Sequence, residues 1–251
     1  MREEAPRVGR AGRETRSTIR LRLLQGFALS HGGAPIDVSM SEQRLLAFLA
    51  VNRRPLPRTF VASALWLDSS ERHALGNLRS AIWRLQKANG KLVEATRMQV
   101  GLGSEVRVDL QDAGSLAGRV LGPPAKLDPA DVDEAMLCGE LLPGWYDEWV
   151  VVERERLRQI QLHALEALCS RLLASGDYAR AVQVGLAATA AEPLRESAHR
   201  LLIQVHLAEG NRAEAVRQFE IYRNLITVEL GIEPSTSIKH LLTRGGLATS
   251  A

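Results

Sequence analysis

The chain has 251 residues, 45% of them apolar and 24% charged, with a formal net charge of +3. That is ample for two buried cores, or for one domain and a repeat array. No apolar run reaches the roughly 18–20 residues of a membrane span, and the start lacks a signal-peptide core, so a cytoplasmic protein is expected. Cys138 and Cys169 have no CxxC partner and no histidine at metal spacing, which makes both reduced core residues in this reading. Residues 1–110 hold 18 Lys/Arg against 10 Asp/Glu, and residues 111–251 hold 14 against 19. Only the first half is expected to seek a polyanion.

Residues 1–17 mix Arg, Glu and Gly with almost no apolar content and read as a disordered basic tail. From Ile19 the text alternates, with Ile19, Leu21 and Leu23 facing one way and Arg20 and Arg22 the other, as in a half-buried strand. A turn at His31-Gly32-Gly33 leads to a second run, Pro35 to Val38, completing a hairpin. Ser41 reads as the N-cap of a first helix that buries Leu45, Leu46, Phe48 and Leu49 and ends at Asn52 to Pro55. A second helix starts near Thr59. A third runs from about Glu71 to Asn89 and turns Leu75, Leu78, Ile82 and Leu85 inward. Then come Leu92 to Ala95, a polar tip at Thr96-Arg97-Met98, Val100, a turn at Gly101-Leu102-Gly103, and Val106 to Leu110: strand, turn, strand. Gly118 to Pro124 carries the breakers of a linker or helix end.

Beyond Asp128 everything reads as helix, over about 129–140, 147–175, 178–191, 195–208, 212–230 and 235–243, punctuated by Gly176, Pro193, Gly210, Gly231 and Pro234. LASGDYARAV from Leu173 and LAEGNRAEAV from Leu207 repeat with a spacing of 34 residues, which sets Gly176 against Gly210 and Ala181 against Ala215. This is the tetratricopeptide period, in which each helical pair buries its apolar face only by stacking on the next. Trp145, Tyr146 and Trp149 read as core and capping residues at the start of the long helix. Glu153, Arg154, Arg156 and Arg158 alternate in sign there and are expected to pair.

Strands, three helices and a strand-turn-strand are the order of a winged helix. The stretch Ala74 to Lys87, with its Arg84-Leu85 pair, resembles the recognition helix of OmpR/PhoB-like DNA-binding domains, and more closely the version found in SARP-type bacterial activators. Its outward stripe carries Gly76, Ser80, Trp83, Arg84 and Lys87, with Asn77 and Arg79 beside it. In a major groove Arg can bond both acceptors of guanine, and Asn both edge groups of adenine. Trp83 reads as core, with contact to sugar or a thymine methyl as its alternative. Arg97 sits at the wing tip. Arg44, Arg53, Arg54 and Arg58, near the ends of the first two helices, are candidate phosphate contacts.

Leu141 to Val150 followed by Glu153 to Arg158, then Ala191 to Arg200, His206 to Asn211 and Glu229 to Ser235, resemble the bacterial transcriptional activator domain (BTAD) of the same SARP-type family. The expected fold is mainly α: an N-terminal α+β winged helix over 18–112, a linker over 113–127, an all-α tetratricopeptide-like repeat domain over 128–243 and a flexible tail over 244–251. The resemblance implies a sequence-specific transcriptional regulator, an activator, that binds promoter direct repeats on double-stranded DNA as a homodimer or DNA-induced oligomer. It also implies recruitment of RNA polymerase holoenzyme, control of a specialised-metabolite gene cluster, and room for an unknown effector. No catalytic residue, metal site or cofactor is expected: His163, His199, His206 and His240 are scattered and no GxxxxGK(S/T) loop is present. The alternative is a helical-repeat interaction module whose winged helix does not bind DNA specifically. Its discriminator is whether Arg79, Arg84, Lys87 and Arg97 form one exposed basic surface or are consumed by salt bridges.

Overall fold

A computed structural model describes residues 18–123, 128–129 and 132–244. The tails expected over 1–17 and 245–251 lie outside the described residues. The chain divides into two units: residues up to Leu23 with Phe27–Val108, and Leu24–Gly26 with Asp109 onward.

The first unit is a winged helix. Strands β1 (Ile19–Arg22), β2 (Ala28–His31) and β3 (Ala34–Pro35) form an antiparallel meander, and β7 (Val106–Val108) joins β1 in parallel, giving the order β3-β2-β1-β7. The hairpin is shorter than expected: the Ile36 N–H still donates to the Leu29 carbonyl at 2.9 Å, but Ile36 to Val38 lie beyond the end of β3. Val106 to Leu110 also departs from the expectation of a wing strand. Its alternation buries Val106 and Val108 and exposes Arg107, which matches the pleat of β1 opposite Ile19, Arg20 and Leu21. The wing is β5 (Val93–Ala95) against β6 (Gln99–Leu102), with β4 (Leu56–Pro57) on the other edge of β6. Gly101 and Leu102 therefore lie in a strand and not in a turn. Gly103 closes the base of the hairpin, where a Cβ would stand 1.8 Å from the Lys91 carbonyl oxygen.

Helix α1 (Met40–Asn52) begins two residues earlier than expected, because Ser39 and not Ser41 is its N-cap. Glu42 sits at the third helical position and its Oε2 accepts the Ser39 N–H at 2.8 Å, as a capping box requires. Helices α2 (Arg58–Leu65) and α3 (Glu71–Ala88) complete the trihelical core, which buries Leu45, Leu46, Leu49, Val61, Leu65, Leu78 and Leu85. Each such side chain contributes about 1.5–3 kcal/mol of hydrophobic stabilisation.

The second unit is a helical-repeat array. The linker expected over 113–127 is helical as far as Leu121: α4 (Asp109–Leu121) buries Leu110, Ala113, Leu116, Ala117 and Val120, a spacing of three and four residues that forms one apolar face despite Gly118. Of the helix expected over 129–140, the described residues show no α-helix; a 3-10 turn, Glu134–Leu137, is opened by Asp133 accepting from the Ala135 N–H. Cys138, expected in the core, is exposed just after it; Cys169 is buried. Then follow α5 (Glu148–Ser175), α6 (Tyr178–Ala191), α7 (Glu196–Glu209), α8 (Arg212–Leu230) and α9 (Thr236–Arg244).

The repeat is realised as two helical pairs, α5-α6 and α7-α8. Gly176 and Gly210 terminate α5 and α7 with φ of 80° and 88°. The next residues reach back to the carbonyls of Leu172 (Asp177, 3.0 Å) and His206 (Asn211, 2.8 Å), the Schellman arrangement in both repeats. Ala181 and Ala215 are fully buried at the equivalent positions of α6 and α8. Of the aromatics around the start of α5, Tyr146 is exposed and Trp145 and Trp149 are half-buried, so the expected burial fails for Tyr146. The sign alternation on α5 is used in two ways. Arg156 and Arg158 pair with Glu153 and Glu155 at 3.7 and 2.8 Å, and Arg154 turns back to pair with Glu140 at 3.2 Å and to bond the carbonyls of Leu141, Leu142 and Trp145.

Candidate nucleic-acid interface

Helix α3 carries the candidate surface. Its buried stripe is Ala74, Leu78, Ala81, Ile82 and Leu85. At 100° per residue this stripe places Arg72, Gly76, Arg79, Ser80, Trp83 and Lys87 around the opposite side. Leu75 is not a core residue as expected; Ala74 fills that place and Leu75 is half-exposed at the edge. Trp83 is likewise not core. It lies on the far side of the helix from Leu78, Ala81 and Leu85, 62% exposed, with the Lys87 ammonium 5.3 Å from the ring centroid.

Beside this face opens a cleft of about 730 Å³. Helix α3 contributes Arg72, Leu75 and Arg79, the start of α2 contributes Pro57, Arg58 and Thr59, and the wing tip contributes Arg97 and Met98. The wing is fixed to α2 by backbone. Leu56 and Pro57 pair with Val100 and Gln99, the Arg58 N–H donates to the Met98 carbonyl at 3.0 Å, and the Arg58 guanidinium donates to the Thr96 carbonyl at 3.1 Å. Thr96 turns the tip through its hydroxyl, which accepts the N–H groups of Met98 and Gln99. Four guanidinium groups thus line one cleft whose lining residues include no carboxylate, and Leu75, Met98 and Pro57 supply apolar surface between them. Like charges so placed repel, and a polyanion relieves that repulsion.

The candidate residues divide among different surroundings. Arg58, Arg79 and Arg97 meet in the cleft. Asn77 and Ser80 are exposed on α3, the Ser80 hydroxyl donating to the Gly76 carbonyl at 3.1 Å. Arg84 stands on the opposite flank, where its Nε–H donates to Glu42 Oε1 of α1 in an ion pair; its side chain is 48% exposed and that of Glu42 only 7%. Burial alone would raise the Glu42 pKa, but Arg84 and Ser39 outweigh it and hold the carboxyl below its ordinary value. Arg44 is half-buried on α1, Arg53 caps α1 with a left-handed φ of 57°, and Arg54 is exposed beyond it; none of the three lines the cleft. The basic surface is therefore narrower than the four-residue set expected, with Arg84 engaged by a salt bridge. Arg72 was not a candidate. It stands seven residues before Arg79, two turns along the same face, which is the signal that could have found it.

Among the described residues no group of three His, Cys, Asp or Glu side chains could hold a metal ion, and no helix is long and apolar enough to cross a membrane.

Residues 133–244 match the family described as Bacterial transcriptional activator domain. The chain is 29% identical over 245 residues to Regulatory protein AfsR of Streptomyces coelicolor, and 26% identical over 235 residues to the AfsR of Streptomyces griseus. These matches take in 93% and 89% of the chain but only 25% and 23% of the relatives, so the chain spans about a quarter of their length. Its fold resembles that of Mycobacterium tuberculosis EmbR, solved in complex with a low affinity phosphopeptide, with a TM-score of 0.70 at 18% identity over 93% of this chain and 66% of that one. The family is a kind of regulator and not a class of enzyme. A winged helix thus precedes a segment, residues 133–244, that matches the bacterial transcriptional activator domain, and the chain as a whole is similar to about a quarter of the length of these regulatory proteins.

Proposed function

We propose that the N-terminal unit binds double-stranded promoter DNA, with α3 in the major groove and the wing beside it, and that the repeat array contacts RNA polymerase, a second copy or an effector. The observation that carries this reading is the cleft lined by Arg58, Arg72, Arg79 and Arg97 without a carboxylate, next to the exposed face of α3. Phosphate contacts there would fix register, and side chains on α3 would read base edges. The expected division of the chain, a DNA-binding domain to about residue 112 and the repeat domain over 128–243, belongs to this proposal, with α4 counted to the repeat unit. Activation of a specialised-metabolite gene cluster through direct repeats is its further extension.

The test is binding of a duplex by the full chain across a series of salt concentrations. Six phosphates neutralised give a log-log slope of about −5. A slope near zero, from folded protein, removes the DNA reading.

A second reading, an interaction module without specific DNA affinity, draws support from the Arg84-Glu42 pair and from the exposed Ile221 and Val228 on α8, with half-buried Leu225 between them. Under it, the winged helix retains no cognate duplex while the array still captures a protein partner.

A further inference from the structure

The Arg84-Glu42 pair looks at first like a subtraction from the basic surface, but its geometry argues for a different role. Glu42 is held at both oxygens. Its Oε2 accepts the Ser39 N–H at 2.8 Å, which locks the carboxylate to the first turn of α1, and its Oε1 accepts from Arg84 Nε. The carboxylate is almost fully buried, whereas the Arg84 side chain is about half exposed. Among the described residues only Nε of the guanidinium makes a hydrogen bond, which leaves the two terminal nitrogens of this half-exposed side chain as the open end of the fork. Asn77 lies exposed two turns earlier on the same flank of α3.

A long arginine on a helix surface loses rotamer freedom when it binds, and that loss opposes binding. An arginine already tied at Nε to a buried, capped carboxylate has lost that freedom on folding. The pair is also close to neutral overall, so it adds little to the general attraction for phosphate. What it keeps is the planar two-donor end that fits the O6 and N7 acceptors of guanine.

We infer that Glu42 is a positioning residue for sequence readout: it aims the fork of Arg84 at a guanine edge and makes that arginine a selector of sequence, not a phosphate anchor. This rests on the DNA-binding reading above. The phosphate anchors are then the cleft arginines, and the two tasks fall on opposite flanks of α3.

The experiment uses the full chain and a duplex enriched by the wild type from a random-sequence pool, with a scrambled duplex beside it. Affinities for both are measured for wild type, Glu42→Gln, Arg84→Ala, the double variant and Arg84→Lys, together with thermal unfolding. The expected result is a loss of about tenfold or more for the enriched duplex in Glu42→Gln and in Arg84→Ala, little change on scrambled DNA, and a double variant no weaker than Arg84→Ala alone. Arg84→Lys, which keeps the charge at a half-exposed site and so keeps the fold, is expected to lose the preference as well, because an ammonium has no fork.

A Glu42→Gln effect of equal size in the Arg84→Ala background, or an equal loss on both duplexes, makes Glu42 a helix cap only and overturns the inference. Full preference retained by Arg84→Lys overturns it too, even if Glu42→Gln fails to fold. A folded wild type that enriches no duplex is a separate result: it overturns the DNA-binding reading and this inference with it.

Discussion

Arg79 and Arg97 show how a single charge acquires a task from its place. Neither has an ion-pair partner among the described residues, and both line the cleft between α3 and the wing tip. Under the DNA reading each contacts phosphate, so Arg79→Ala and Arg97→Ala each weaken binding to all duplexes alike and reduce the magnitude of the salt slope by about 1. Titrations at several salt concentrations check this, and a loss confined to one sequence would reassign the residue to base contact. Trp83 is the converse case. Composition favours burial of tryptophan, but the helical angle places it opposite the core, so Trp83→Ala is expected to leave the unfolding midpoint nearly unchanged. A fall of many degrees would show that its exposed ring carries packing after all. These residues mark the limit of what the text discloses: Arg58, Arg79 and Arg97 were legible as cations near turns and tips, but the partner of Arg84 lies 42 positions away, and no local pattern joins the two.

At the scale of elements, the repeat was legible because its determinants are local. A glycine that must adopt a positive φ and an alanine that must admit a neighbouring helix leave the same letters 34 residues apart. Gly176→Ala and Gly210→Ala force a side chain into the left-handed region and are each expected to cost about 1–2 kcal/mol in denaturant unfolding. Ala181→Leu and Ala215→Leu overpack fully buried positions and cost about 1–3 kcal/mol. Loss-free substitution at both glycines would contradict the Schellman ends. Strand partners were less legible. Val106 to Val108 alternates as any half-buried strand does, and whether it belongs to the wing or to β1 depends on pairing with residues almost ninety positions earlier. The helix over Asp109–Leu121 was missed because Gly118 and Gly122 read as breakers, although the buried face of α4 outweighs a glycine's cost of about 1 kcal/mol. The 3-10 turn at Glu134–Leu137 was missed for the opposite reason, since apolar residues there mimic a longer helix.

Across the whole molecule, stability and binding draw on different halves of the sequence. In the acidic half, the His199 ring is buried, packed at a 33° tilt with its centroid 4.7 Å from that of Tyr222, and bonded at both nitrogens. Its Nε2–H donates to the Pro193 carbonyl at 2.9 Å, and Nδ1 accepts from the Gln218 amide at 2.7 Å, which fixes the neutral tautomer. Burial lowers its pKa from the ordinary 6.5, against a smaller opposite pull from the Pro193 carbonyl. The unfolded chain therefore takes up a proton that the native ring refuses, so stability falls as the pH drops below about 6.5 and stops falling, for this group, beneath the depressed native value. Denaturant unfolding at a series of pH values checks it: the slope between about pH 6.5 and 5 shrinks in His199→Asn, and an unchanged slope would assign the loss to other groups.

The basic half carries the central claim, that α3 and the four-arginine cleft form a sequence-specific DNA interface. Its most direct test is selection of genomic fragments by the purified full chain at near-physiological salt, with Arg79→Ala/Arg97→Ala in parallel. The account predicts enrichment of a shared motif by the wild type and a much lower yield of bound DNA for the folded variant; a folded wild type that enriches no motif, or a variant that retains as much DNA as the wild type, contradicts it.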